Sequence, residues 1–169
     1  MSFKCFHLYA LLFKREDCLS YSLLLGGSSV HDCTLYHCVP RFSSDTNTNI
    51  GWSYCMTEHV DLILPPWPIV LIVDLADLDG FERAAGSTAR LVDRMLCEDG
   101  QRKFPATPPS RTFDGFAWFK TALHALSNRC ILSVDFDGLK DEIVRATPGA
   151  LSRFIQGRSS SFITSQFCQ

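Results

Sequence analysis

Hydrophobic and polar positions in this chain fall into blocks whose period changes along its length. Residues 2–13 (SFKCFHLYALLF) are aromatic and apolar almost throughout. They fit a strand or a short helix, and periodicity does not decide between the two. Gly26-Gly27 followed by Ser28-Ser29 marks a turn. Residues 30–39 read as a short strand, and residues 40–51 (PRFSSDTNTNIG) as a polar loop. The proline-rich residues 65–68 form a stiff, extended lead-in to IVLIVDL at 69–75. That uninterrupted run, dominated by β-branched side chains, predicts a strand covered on both faces, as in a parallel or mixed sheet.

The second half turns helical. Phe81, Ala85, Thr88, Val92 and Met95 recur at steps of four and three, one continuous stripe. Asp79-Gly80 opens this helix, Gly86 to Ala89 lie inside it, and Glu98-Asp99-Gly100 ends it. A Pro-rich connector at 99–112 comes next. Asp114-Gly115 opens a second helix with Phe116, Phe119, Leu123 and Leu126 on its apolar side, closed by Asn128-Arg129. CILSVDF at 130–136 reads as a second buried strand. Asp137-Gly138 starts a third helix with Leu139, Ile143, Ala150 and Phe154 inward, and Pro148-Gly149 is placed to break it. Residues 157–169 read as a tail or a weak edge strand. At each helix start the same pattern recurs, a hydrophobic residue, Asp-Gly, then a hydrophobic residue; this predicts the Asp as N-cap. The sum is an α/β or α+β fold: a small mixed sheet with about three helices in a single compact domain. Its organisation reads as a Cys/His-containing N-terminal segment (1–60), an α/β core (61–157) and a tail (158–169).

Composition narrows the functional classes. The chain has 169 residues, 46% of them hydrophobic, which supplies a core of ordinary size. A formal charge of -2 with scattered Lys and Arg disfavours non-specific nucleic-acid binding. The apolar residues 6–13 run straight into Lys14-Arg15-Glu16-Asp17 without a small-residue cleavage site, so no secretory signal is expected. Residues 62–73 are too short, and too rich in proline, to span a bilayer. A cytosolic or nuclear location is expected, with the eight cysteines as free thiols or metal ligands.

Two Cys-x3-His pairs give the sharpest candidate chemistry: Cys33 with His37, and Cys55 with His59. Two thiolates and two imidazoles form a tetrahedral set for a structural zinc, with no position left for catalytic water. Cys38 and His31 are alternative ligands nearby. Asp74, Asp77 and Asp79 cluster after the 69–75 strand and read as solvated, capping carboxylates. No Gly-x-Ser-x-Gly is present, and no Cys/His pair is singled out as reactive.

Two short stretches resemble known families. CILSVDFDGL, with Asp135-x-Asp137-Gly138, resembles motif one of the haloacid-dehalogenase-like phosphatases. The resemblance implies Mg2+-dependent phosphoryl transfer, with Asp135 as nucleophile and Asp137 as general acid/base. Leu64-Pro65 resembles the Leu-Pro start of the minimal F-box in silencing suppressors of some plant viruses. The leading expectation is a non-enzymatic interaction or regulatory protein, zinc-stabilised, of the kind found among small viral accessory proteins such as suppressors of host RNA silencing. It would meet a protein partner through apolar surface, with Trp52, Trp67 and Trp118 as candidate anchors. The alternatives are the phosphoryl-transfer enzyme and an orphan fragment of a larger α/β domain.

Overall fold

Residues 8–13 show no apolar period because every one of them is buried, on both sides of the strand they form. A computed structural model of the chain describes residues 3–15, 18–46, 49–65, 67–81, 87–97 and 115–168. In it, β1 (His7–Arg15), β2 (Cys18–Leu25), β3 (Cys33–Phe42) and β4 (Asn49–Val60) form an antiparallel meander. β5 (Ile69–Asp77) pairs antiparallel with the free side of β1, and β6 (Ser161–Thr164) lies parallel to β5. The sheet therefore has six strands in the order β4-β3-β2-β1-β5-β6, and one parallel pair makes it mixed. Helices α1 (Thr88–Leu96), α2 (Gly115–Asn128) and α3 (Phe136–Ile155) come after β5. The class is α+β in a single domain. Residues 1–60 supply four of the strands and share one core with β5 and the helices.

The alternation of side chains along each strand sorts the core into two layers. Leu8, Ala10 and Leu12 of β1 face the helices, where they meet Val92 and Leu96 of α1, Trp118, Leu123 and Leu126 of α2, and Ile143 of α3. Tyr9 and Leu11 face the other way, with Leu24, Cys33, Leu35, Val60 and Ile69. None of the described helices covers this back layer. Phe3 and the β4–β5 connection, through Leu62 and Trp67, pack against it instead.

The register requires that cover. β4 is one edge of the sheet, and β5 lies four strand positions away, on the far side of β1. Val60 and Ile69 also sit at opposite ends of the sheet. The diagonal between them is about 25 Å at ordinary strand spacing and rise. The nine Cα–Cα steps from Val60 to Ile69 reach at most about 32 Å, so the connection has limited slack beyond the bend at 62–64. The prolines at 65 and 68 favour an extended form. Trp67 stacks on Phe13 with ring centroids 5.5 Å apart and lies 5.1 Å from the His37 ring.

Several expectations need correction. Half of the polar segment 40–51 is strand, because β3 runs to Phe42 and β4 begins at Asn49. CILSVDF is not a sheet strand: it holds a single bridge, Val134 to Cys168, between the end of α2 and the start of α3. Its buried Ile131 and Leu132 fill the helical layer. Ser87 caps α1, its side chain accepting from the Arg90 N–H, so Ser87 to Ala89 mark a helix start rather than an interior. The capping carboxylate lies two residues before the expected one in both described copies of the Asp-Gly pattern. Asp135, not Asp137, caps α3 through the Gly138 N–H, and Asp77, not Asp79, accepts from the Asp79 N–H. α3 runs through Pro148 without a break. The carbonyl that Pro148 cannot serve belongs to exposed Val144, where water can reach it, and the buried Leu139, Ile143 and Ala150 hold the helix down on either side. Ala85, Gly86, Glu98-Asp99-Gly100, the 99–112 connector and Asp114 lie outside the described residues.

Trp118 is fully buried at the centre of the helix-side core, which makes it a packing residue and not a partner anchor. Trp118→Ala is expected to cost about 3–5 kcal/mol in a urea melt. Asp135→Ala is expected to cost about 1 kcal/mol, the usual loss for an N-cap.

Candidate functional site

The strand ends at one rim of the sheet carry three histidine–aspartate pairs. The start of β1, the end of β2, the start of β3, the end of β4 and the end of β5 all meet there. Three of the five histidines lie at this rim, and each points its Nδ1 at an aspartate: His7 at Asp74 (2.8 Å), His31 at Asp61 (3.0 Å) and His59 at Asp32 (2.7 Å). When Nδ1 donates to a carboxylate, Nε2 is left as an acceptor, and at His31 and His59 the ring is exposed. This arrangement can hold or pass a proton.

Asp74 is the most constrained member. It is only 3% exposed, yet it accepts from His7 and from the Lys4 ammonium at 2.9 Å. An irregularity in the β1–β5 ladder puts it there. Leu8 pairs with Ala76 and Tyr9 with Asp74, so Leu75 is the extra residue, and the bulge turns Asp74 to the back face beside Tyr9. The Tyr9 hydroxyl donates to the Lys4 carbonyl at 3.0 Å and accepts from the Lys4 N–H at 2.8 Å. Burial raises the Tyr9 pKa well above the ordinary phenol value and keeps the hydroxyl protonated. His7 Nε2 lies 3.6 Å from Asp77, so one imidazole sits between a buried and an exposed carboxylate. Asp74 is thus a buried pairing centre rather than a solvated cap. No sequence motif signals this set, because its members lie 67 and 70 positions apart.

The base of the β3–β4 hairpin carries the other two pairs, nested in the antiparallel order, 31 with 61 and 32 with 59. A second bulge lies here. Cys33 pairs with Val60 and Leu35 with Thr57, which leaves Glu58 and His59 opposite Thr34. His59 takes φ +56°, in the left-handed region that side chains other than glycine seldom adopt. The preceding turn is close-packed: a Cβ on Gly27 would overlap the Asp32 carbonyl oxygen, so only glycine fits. Asp61 is held below the usual carboxylate range, first by the hydrogen bond from His31 and then by the Ile63 N–H at 2.7 Å.

The sequence-predicted ligands do not assemble. The four-residue spacing would share one side of a helical turn, but here it lies on strands, where it separates side chains by about 13 Å. His37 sits opposite Cys55 in mid-ladder, with His37 buried under Trp67. Cys33 sits at the rim, its Sγ 3.6 Å from the Ser29 carbonyl, and burial pushes its thiol up to about 11. His59 turns outward to Asp32. The expected single zinc centre on Cys33, His37, Cys55 and His59 finds no geometric support. Among the described residues no group of three or more His, Cys, Asp or Glu side chains is placed to hold a metal. Asp135 is engaged as a helix cap and does not stand at the end of a sheet strand, so the phosphatase-like pair lacks the scaffold its resemblance implies.

Three measurements check this description. Zinc content is expected to be the same in wild type, Cys33→Ser and Cys55→Ser by elemental analysis. At pH 8, exposed Cys5, Cys18 and Cys130 are expected to alkylate readily in the native protein. Cys33 and Cys168, buried and pushed up to about 11 and about 12, should react only after unfolding, as read by mass spectrometry. The depressed Asp61 pKa gives an acid-side transition. Its contribution is complete above the ordinary carboxylate value of about 3.9 and is lost as pH falls through the lower folded value. Trp67 fluorescence should report this loosening, and Asp61→Asn should remove the step. Comparison with protein-family models, curated proteins and solved structures finds no match.

Proposed function

We propose that the chain is a non-enzymatic interaction protein that presents a preformed apolar turn to a protein partner. One observation carries this reading: Ile63 and Leu64 are 63% and 79% exposed, side by side, on a segment that is otherwise pinned. Leu62 and Trp67 bind that segment to the back layer. The Leu62 N–H reaches the Val30 carbonyl at 2.9 Å, and the Lys14 N–H reaches the Pro68 carbonyl at 3.0 Å. Asp61 Oδ1 accepts from the Ile63 N–H at 2.7 Å and the Leu64 N–H at 3.4 Å, while Oδ2 holds His31. The turn is therefore ordered before any partner arrives, and little entropy remains to be lost on binding. Large apolar side chains fixed in water at adjacent positions mark a recognition point, with Leu64 as the anchor for a hydrophobic pocket. Leu64-Pro65 is also the pair that resembles the F-box start, which makes a regulatory role on a host partner the specific form of this proposal. Among the described residues no helix is long and apolar enough to cross a membrane.

A photo-crosslinking side chain placed at position 64 tests the reading in extract from the source cells. One discrete protein adduct is expected, suppressed by excess wild-type chain but not by excess Leu64→Asp. Equal competition by both proteins, or no adduct, would sink it. Leu64→Asp and Ile63→Ser should each leave stability within about 0.5 kcal/mol, as surface substitutions do.

A further inference from the structure

We propose that a cleft at the same rim, on the side of the sheet facing α1, binds a small organic cation: an ammonium group on a compact carbon frame. This site is separate from the apolar turn, and its argument does not depend on that reading. The cleft has a volume of about 340 Å³, and its walls include Phe6, Asp32, Thr34, Glu58, His59 and Ser87. That is room for a ligand of some ten heavy atoms or more, not only for a solvated ion.

The chemistry of the walls selects the sign of the ligand. Among the described residues two carboxylates line the cleft and no Lys or Arg does. Asp32 is shared with His59, whereas the Glu58 carboxylate has no ion-pair partner among the described residues. Lys4 is the nearest cation in sequence to Phe6, and its ammonium is held by Asp74 on the opposite face. The start of α1 adds a partial positive charge at Ser87, but about half a unit does not offset two carboxylates. The Phe6 ring supplies an apolar wall whose face attracts cations. Thr34 and Ser87 add hydroxyl acceptors, and His59 Nε2 is a further acceptor while Nδ1 donates to Asp32. Among the described residues the two carboxylates outweigh the partial positive charge at Ser87, so an anion is disfavoured here, and a purely apolar ligand would bury these polar groups without partners.

The backbone is shaped around this space before any ligand is present. Phe6 and His59 both take φ +56°, and they are two of the three non-glycine residues with positive φ among the described residues. Gly26 and Gly27 also line the cleft, and a Cβ on Gly26 would lie 2.8 Å from the Lys4 carbonyl oxygen. The β-bulge at Glu58 and His59 presents two consecutive polar side chains at one point of the rim.

A matched ligand series on the full chain decides the proposal: phenethylammonium, 2-phenylethanol and 3-phenylpropionate, followed by NMR at the His59 ring and the Gly26 and Gly27 amides. Phenethylammonium is expected to give saturable shifts at these positions and to bind more weakly as salt rises, with Glu58→Gln weakening it about fivefold. Equal binding of the alcohol or the carboxylate would overturn the proposal, as would the absence of shifts. Unchanged affinity in a Glu58→Gln protein of wild-type melting temperature would do the same. Should that variant fail to fold, the ligand series on the wild type still decides.

Discussion

The structure depends on the diagonal run of residues 61–68 across the back of the sheet. Strand order puts β4 and β5 on opposite sides of β1–β3, and the register puts their joined ends at opposite rims. Nine Cα–Cα steps cover that distance with limited slack, which the bend at 62–64 takes up. Because it must cross the apolar back layer, it also serves as that layer's cover. Tyr9, Leu11, Leu24 and Leu35 lie on the face away from the described helices, yet they are buried, in part beneath Leu62 and Trp67. A proline-rich tether that is pinned inward at both ends has to turn some side chains outward. Ile63 and Leu64 are those side chains.

The rim and the crossing segment are mechanically joined. His31 bonds Asp61, which in turn holds the Ile63 and Leu64 amides. His59, two residues before Asp61, takes the neighbouring aspartate, Asp32. The apolar turn and the acidic cleft thus share the base of one hairpin. Burying Asp74 among Lys4 and His7 fixes the other half of the rim by clasping the N-terminal residues onto β5, and the Lys4 backbone is locked in turn by the Tyr9 hydroxyl. An unpaired carboxylate at that depth would be strongly destabilising, so the three side chains act as a unit.

Legibility in the sequence tracked the range of the interaction. Helical stripes such as Phe116, Phe119, Leu123 and Leu126 depend on neighbours three and four residues away, and the helix stands where they placed it. The apolar run at 69–75 became β5, whose two faces are both covered. Local signals misled where two local devices competed. Asp79 and Asp137 have the pattern of caps, but Asp77 and Asp135, two residues upstream, supply the carboxylate. CILSVDF has the composition of a strand but pairs with no described sheet strand, so its apolar side chains fill the helical layer instead. With a helical period the Cys-x3-His pairs converge, whereas a strand carries the same spacing to well-separated positions. For the candidate site the legible part was small: His59 and His31 stood out as candidate zinc ligands and not as partners of Asp32 and Asp61, and no local pattern marked Asp32 or Glu58.

Composition and patterning by themselves determined the class of fold, the place of the helix at 115–128 and the buried strand at 69–75. Those properties are sums of short-range preferences and of apolar area that has to leave water. Which histidine meets which aspartate was decided only by the tertiary structure. So was the burial of Asp74, the exposure of Leu64 and the shape of the rim. Each of these rests on strand order and on two ladder irregularities, at Leu75 and at Glu58-His59. A one-residue shift in register moves a side chain to the other face of a sheet, and no local pattern records such a shift.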